Sequence, residues 1–304
     1  MTNLFLIQLL NGVQLGILLF LVAAGLTLVF GIMDFINLAH GVQYMAGAYF
    51  VAAFTALTGS FFLGLALTLP AALLFGLILE FLLFRHLYGR DHLDQVLVTF
   101  GLILMLNEGV KMLWGAAPLS VPVPEMLSGS VPLIGSLRYP VFRLAIIAAG
   151  LAIAVLLYVV VNHTRTGMRL RAGASDRWTL ASLGVDVGQL FMLVFGFGAM
   201  LAGFAGAMVS PILSVEPGMG DGILILTFVV IVIGGIGSVR GAFIAAILVG
   251  CVDTLGRAFG PLLLRSLLEP AAAQTGRTLA PMLIYILMAA VLFFRPSGLF
   301  PAKG

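Results

Sequence analysis

Charged side chains are scarce in this sequence of 304 residues, which has only 15 Lys and Arg and 12 Asp and Glu. They make up 9% of the chain, whereas a soluble domain carries about 25%. With 62% hydrophobic residues and a mean hydropathy of +1.19, the chain has too little polar surface to face water. The composition therefore excludes a water-soluble enzyme, a disordered protein and a secreted disulfide scaffold, and it predicts a protein embedded in lipid.

Cysteine and histidine are also rare, with one Cys and four His. Cys251 cannot form an internal disulfide, and without Cys and His clusters there is no case for a metal site. The sequence has no Gly-x-x-x-x-Gly-Lys-Ser/Thr loop for a nucleotide phosphate, no Gly-x-Ser-x-Gly elbow and no His-Glu-x-x-His helix. We therefore expect no cofactor and no enzyme activity, and any energy that the chain needs has to come from another protein.

Long apolar runs recur along the whole chain. A bilayer core needs about 20 apolar residues of helix, and the first acid or base is Asp34, so we expect the opening stretch to be a retained span. The pattern predicts an all-α fold, a polytopic transmembrane helix bundle of eight or nine spans. The nine candidates are residues 1–33, 41–58, 61–84, 95–114, 144–161, 188–213, 222–237, 241–263 and 279–294.

Arginines in the short loops indicate the orientation, because positive charge is retained in the cytoplasm during insertion. The loop at residues 162–187 carries four arginines and residues 85–90 carry two, whereas 115–143 has Arg138 and Arg143 only near its end. With nine spans, this bias places the N-terminus outside and the C-terminus inside.

Ionisable residues within the spans or at their ends fall into pairs about one helical turn apart, which favours structural ion pairs over a charged substrate path. The pairs are Glu80 with Arg85, Glu108 with Lys111, and Asp253 with Arg257. Glycines within the spans predict close helix packing instead of a pore, because a missing side chain lets two backbones approach. The clearest group is Gly196, Gly198, Gly203 and Gly206.

The polar stretch at residues 164–190 joins two apolar spans. Residues 169–183 are compatible with a short amphipathic helix, with Ser175 and Asp176 as possible caps and Gly184 where a helix end favours a left-handed residue. Such a helix could lie at the headgroups with its arginines on anionic lipid, or it could dock a soluble partner. Composition leaves both roles open.

Four blocks of sequence, in the same order, resemble the bacterial branched-chain amino acid ABC transporter permeases of the LivH type. The resemblance covers nearly the whole chain, and the Asn37-Leu-Ala-His-Gly41 stretch is its most characteristic part. The blocks are Gly25 to Gly41, Thr166 to Val185, Gly234 to Gly241, and the closing Arg295-Pro-Ser-Gly-Leu-Phe300.

This resemblance implies a permease subunit of an ABC importer, a multi-pass protein of the inner (cytoplasmic) membrane. Its implied partners are a second, paralogous permease chain, two cytoplasmic ATP-binding subunits and a periplasmic or extracellular substrate-binding protein, with no nucleic acid. Residues 1–304 would form a single permease domain with a cytoplasmic coupling loop at about 162–187. We expect that loop to contact the ATPase through Arg169, Arg171, Ala174, Asp176, Leu183 and Gly184.

Asn37 and His40 match the most characteristic block and are polar groups at the inner end of the first spans. They could line the translocation path at an inner gate, or cap helices and satisfy carbonyls. Permeases of the family resembled serve branched-chain amino acids, and also urea, amides and organic acids. We expect branched-chain amino acids to be the substrate. The alternative is an ATP-independent solute channel or secondary carrier.

Overall fold

In the computed structural model, which describes residues 2–133, 138–267 and 272–300, almost every element is a helix. Short 3₁₀ turns cover Phe84–His86, Glu125–Leu127 and Ala280–Met282, and strands β1 (Ser130–Pro132) and β2 (Arg138–Pro140) pair antiparallel. The helices are α1 (Thr2–Met33), α2 (His40–Thr58), α3 (Phe61–Leu82), α4 (His92–Trp114), α5 (Val141–His163), α6 (Arg165–Ser175), α7 (Arg177–Ser182), α8 (Val187–Val209), α9 (Met219–Gly234), α10 (Val239–Leu267), α11 (Ala272–Leu279) and α12 (Leu283–Phe294).

Each of the nine candidate spans coincides with a helix, and the all-α polytopic bundle is confirmed. Within the described ranges, seven helical stretches are long and apolar enough to cross a bilayer by length and composition. The apolar helix α9 is shorter, and α2 carries polar side chains in its first turns. Eight or nine spans therefore remain consistent with the helices observed.

The chain divides into two compact units. The first unit comprises the described parts of Met1–Phe20, Glu125–Leu151 and Leu226–Ala302, and the second comprises Leu21–Pro124 and Ala152–Ile225. The first unit thus contains the β1–β2 pair and α10 to α12, whereas α2, α3, α4, α6, α7 and α8 lie wholly in the second.

In the second unit, α8 packs tightly against α2 and α3, with glycine at the closest points. A Cβ atom added to Gly206 would overlap the Tyr44 carbonyl of α2, and one added to Gly47 would overlap the backbone of Gly203. Gly198 lies in the same way against Gly25 of α1. The prediction that these glycines serve close helix packing is therefore confirmed.

In the first unit, the N-terminal half of α1 packs against α10. A Cβ atom added to Gly16 would fall 2.7 Å from the Ile247 Cα atom, and the rings of Phe20 and Phe243 meet edge to face at 5.0 Å. Helices α11 and α12 also pack on α10.

Candidate functional site

The segment between α1 and α2 turns back into the bundle instead of forming a surface loop. Helix α1 ends at Met33, and Asp34 adopts a left-handed conformation with φ 52°. The His40 Nε2 atom nevertheless lies 3.1 Å from the carbonyl oxygen of Val22 and donates a hydrogen bond to it. Val22 precedes Met33 by eleven residues, about 16 Å along a helix. Helix α2 therefore begins well inside the second unit.

Several polar side chains around the start of α2 are fully buried without a hydrogen-bond partner. The exposed fractions of Asn37, His40, Gln43 and Thr27 are 0%, 0%, 1% and 1%. Among the described residues, none forms a hydrogen bond of normal geometry with the side-chain amides of Asn37 and Gln43, the Thr27 hydroxyl or the His40 Nδ1 atom. Unpaired buried polar groups cost free energy, so these atoms require water or a solute as partner in some state of the protein.

The first turn of α2 is itself buried and has no side-chain cap. The side chain of its N-cap residue, Ala39, cannot accept a hydrogen bond, and the same turn packs closely, since a Cβ atom on Gly41 would overlap the backbone of Gly220 in α9. The first N–H groups of a helix lack carbonyl partners within it and carry partial positive charge. Two of these N–H groups donate to nearby carbonyls, His40 to Asn37 at 3.4 Å and Val42 to Ala39 at 3.1 Å, so the unmet polar groups of this region are its side chains.

Contacts on both sides of Ile36 hold the segment in place. The Phe35 ring lies between Phe84 and Tyr88, with centroids 5.4 and 5.8 Å away. The Ile36 amide donates a 3.0 Å hydrogen bond to Gln95 Oε1. Gln95 Nε2 donates to the carbonyls of Leu87 at 3.3 Å and Arg90 at 3.2 Å, so that one amide group joins both loops.

The sequence patterns did not single out Gln43 or Gln95 for a role. Both are uncharged polar residues within candidate spans or at their ends, a signal that could have identified them. Asn37 and His40, which were singled out, do lie close together, because the His40 amide donates to the Asn37 carbonyl at 3.4 Å.

The three predicted ion pairs are present. Arg85 donates to Glu80 at 3.1 Å, and the Tyr88 hydroxyl donates to the same carboxylate at 2.9 Å. Burial and then the charge of Glu80 raise the pKa of Tyr88, which therefore stays protonated. The remaining pairs are Glu108–Lys111 at 2.6 Å and Asp253–Arg257 at 2.8 Å.

The polar stretch after α5 forms two short helices, where one had been expected. Thr164 caps α6 by accepting from the Gly167 amide at 3.1 Å. Asp176 has an extended backbone, with φ −152° and ψ 102°, which ends α6. Its carboxylate then caps α7 by accepting from the Trp178 and Thr179 amides at 2.9 and 3.0 Å. Hydrogen bonds from the hydroxyl and amide of Thr179 lower the pKa of Asp176.

All six residues expected to contact an ATPase are exposed, on α6, between the two helices or directly after α7: Arg169, Arg171, Ala174, Asp176, Leu183 and Gly184. Gly184 has φ 82°, the left-handed conformation expected of it. Leu183 and Trp178 are 76% and 82% exposed, an unusual amount of free apolar surface. Leu170 and Leu180 are instead buried and attach the helices to the second unit.

The four sequence blocks of the resemblance meet in two pairs. In the second unit, the end of the first block contacts the polar stretch, where a Cβ atom on Gly173 would lie 3.8 Å from Ile32 Cγ2. In the first unit, the amides of Leu299 and Phe300 donate to the Ile233 and Gly234 carbonyls at 2.8 and 3.0 Å. The closing block therefore satisfies the last carbonyls of α9.

Comparison with known proteins gives consistent matches over nearly the whole chain. The family model described as the permease component of a branched-chain amino acid transport system matches residues 8–294. The high-affinity branched-chain amino acid transport system permease protein BraD of Pseudomonas aeruginosa is 27% identical over 309 residues, covering 97% of this chain and 95% of that protein.

Two further relatives carry related names. LivH of Escherichia coli K12, a high-affinity branched-chain amino acid transport system permease protein, is 28% identical over 278 residues, covering 84% of this chain and 87% of its own. The probable branched-chain amino acid transport permease protein LivH of Methanocaldococcus jannaschii is 24% identical over 248 residues, covering 78% of this chain and 76% of that protein. No solved structure matches the chain.

Proposed function

Since this chain belongs to the family of branched-chain amino acid transport permeases, we propose that it is the membrane subunit of an ABC importer for leucine, isoleucine and valine. The single observation that carries the proposal is the family match over residues 8–294. The chain is a multi-pass inner-membrane protein, and its family is one of permeases, not of enzymes.

The proposed assembly contains a second, paralogous permease chain, two cytoplasmic ATP-binding subunits and a substrate-binding protein on the outer side. Residues 1–304 act in it as one permease domain, with the N-terminus outside and the C-terminus inside. The sequence has no phosphate-binding loop of its own, so ATP hydrolysis falls to the separate subunits.

Helices α6 and α7 are the proposed coupling segment, which seats in the ATPase. The exposed Leu183 and Trp178 provide apolar anchors, and Arg169 and Arg171 provide charge at the rim. Their attachment through Leu170 and Leu180 lets ATPase closure move the second unit. Asn37 and His40 lie on the translocation path in this proposal, because buried polar atoms without partners fit a route for a polar solute.

ATP dependence tests the proposal against the channel or carrier. We expect leucine uptake into proteoliposomes only when the permease pair, the ATPases and the binding protein are all present. Uptake at a physiological rate by the permease alone would overturn the proposal of an ABC importer and favour an ATP-independent channel or carrier.

Substitutions in the coupling segment test the docking role. Asp176→Lys and Gly184→Trp are expected to abolish transport-linked ATPase stimulation while the membrane fold stays intact, with wild-type helix content by circular dichroism in detergent. Gly115→Trp is the matched control, because Gly115 is also left-handed, with φ 86°, and also has open space around it, but ends α4 at the other end of the bundle. Unchanged ATPase stimulation in both segment variants would contradict this interface.

A further inference from the structure

Two glutamines of the second unit are equally buried but differ completely in their bonding. Gln95 is 2% exposed, and its amide makes hydrogen bonds to Ile36, Leu87 and Arg90. Gln43 is 1% exposed, and neither its Oε1 nor its Nε2 atom has a partner of hydrogen-bond geometry within the described residues, although its side chain lies near that of His40. The amide of Gln95 is explained by the fold, whereas that of Gln43 is not.

The fold gains no hydrogen bond of normal geometry from the Gln43 amide. Replacing an unbonded buried amide with an apolar group of similar size is neutral or stabilising, because no hydrogen bond is lost and a desolvated polar group is removed. Gln43 follows His40 by three residues, so the two side chains share one face of α2, next to the buried first turn. Asn37 lies just before that turn and is unpartnered in both amide atoms.

The side chains of Asn37, His40 and Gln43 carry no formal charge but offer both hydrogen-bond donors and acceptors. An amide has an oxygen that can accept from an ammonium group and an N–H₂ that can donate to a carboxylate. Among the described residues of the second unit, the one buried charged side chain is Glu80, and it is already paired with Arg85. A solute with net charge would therefore enter this region without a counter-charge, which is costly at low dielectric.

Resting on the proposed transport function, we infer that Gln43, together with Asn37 and His40, forms an uncharged polar site for the zwitterionic end of a neutral amino acid in transit. Gln43 determines specificity in this site. It accepts a net-neutral solute that has both donor and acceptor groups, and it disfavours organic anions. The hydrogen bonds to the two ionised groups are charge-assisted, but no side chain of the site forms an ion pair with the solute, which lets the solute leave again.

A pair of matched substitutions separates this role from a structural one. Gln43→Leu is expected to lower ATP-driven leucine uptake at least tenfold in the complete reconstituted importer, while its melting temperature stays equal to wild type or rises. Gln95→Leu, the control, is expected to lower the melting temperature. Gln43→Asn keeps an amide and retains measurable uptake, whereas the nearly isosteric Gln43→Glu adds a charge and abolishes it. Wild-type uptake by Gln43→Leu, or equal uptake by the Asn and Glu variants, would overturn the inference.

Solvent access gives a readout that does not depend on the transported substrate. In a Cys251→Ala background, Gln43→Cys is expected to react with a small neutral water-soluble thiol reagent at least tenfold faster than Val51→Cys, which is also fully buried on α2. Equal labelling rates would refute a solute site at Gln43 even if leucine uptake is normal. If wild-type protein does not take up leucine but Gln43→Cys is labelled selectively, the proposed substrate fails while the polar site stands.

Discussion

At the scale of single residues, what a polar side chain does in this protein depends on its partners and not on its type. Gln95 joins two loops, whereas the equally buried Gln43 bonds to none of the described groups. Burial alone would have given the two the same role. Of the hydrogen bonds that distinguish Gln95, the one to Ile36 comes from a residue distant in the chain, and those to Leu87 and Arg90 come from the loop before α4.

Asp176 offers a prediction at this scale. Its carboxylate accepts from two amides at the start of α7, and its pKa is lowered from 3.8 by these bonds and the Thr179 hydroxyl. A lowered pKa means that the cap is fully formed above pH 3.8 and is lost only as the pH falls through the lower folded value. Hydrogen exchange of α7, corrected for the intrinsic pH dependence, should therefore give constant protection from pH 8 to about pH 5.

Two substitutions check that assignment. Asp176→Asn keeps an acceptor oxygen and should retain most of the protection of the Trp178 and Thr179 amides, whereas Asp176→Ala should lose it. A marked fall in wild-type protection between pH 7 and pH 5 would show that another group, with a higher pKa, controls the start of α7.

At the scale of elements, the packing of α8 depends on glycines that admit no side chain. The Tyr44 carbonyl and Ala48 amide of α2 occupy the space where a Cβ atom of Gly206 would lie. A methyl group there must push two backbones apart, and overpacking of this kind costs about 1–3 kcal/mol. The close approach of α2 and α8 therefore requires glycine.

Gly206→Ala is expected to lower the free energy of unfolding by about that amount, measured by thermal or denaturant unfolding in detergent. Gly101→Ala is the control, because Gly101 lies within α4 with open space around it, and alanine there should stabilise the helix by about 0.5–1 kcal/mol. Equal effects at the two sites would mean that the α2–α8 contact is looser than described.

Much of the helical structure could be predicted from the sequence, and the reason is physical. Apolar runs of about 20 residues must be helical in lipid, where backbone groups can bond only within the segment. All nine candidate spans are helices for this reason. The sequence left open whether residues 31–41 form a re-entrant turn or a simple loop, because the inward turn depends on the packing of Phe35 and on the bond from Ile36 to Gln95.

The candidate site was predictable in part. Asn37 and His40 followed from a sequence block. Two of the ion pairs, Glu108–Lys111 and Asp253–Arg257, followed from helical spacing, because i,i+3 and i,i+4 residues share a face, and Glu80–Arg85 followed from their nearness at one span end. Gln43 was not identified, since its lack of partners is a property of the packed unit. The break at Asp176 was also missed, although a capping residue there was expected.

At the scale of the whole molecule, the loops of the second unit form two groups, one at each of its two ends. At one end, the Ile32 side chain lies next to the coupling segment and the Ile36 amide donates to Gln95. At the other end, the backbones of Leu119 and Val215 exchange two hydrogen bonds, at 2.8 and 2.9 Å. The loops joined by this last contact, before α5 and before α9, are those assigned to the outer face by the arginine bias. The contacts are therefore consistent with the proposed orientation.

Single cysteines should reveal that orientation. In a Cys251→Ala background, Trp178→Cys is expected to react with a membrane-impermeant thiol reagent only from the cytoplasmic side, and Leu213→Cys only from the outer side. Both positions are exposed, at 82% and 56%. Labelling of both from the same side would refute the orientation, and labelling with the sides exchanged would invert it.

The length of α1 has a consequence for the lipid around the protein. Its 32 residues measure about 48 Å, whereas the hydrocarbon core is about 30 Å thick. Asn11 and Gln14 accept hydrogen bonds from Arg143, at 3.0 and 2.9 Å, and polar groups of this kind belong at the headgroup boundary. From residue 15 to Met33 the helix measures about 28 Å, so this part alone matches the membrane thickness. A thinner bilayer is met by tilt, whereas a thicker one has to thin locally around the protein.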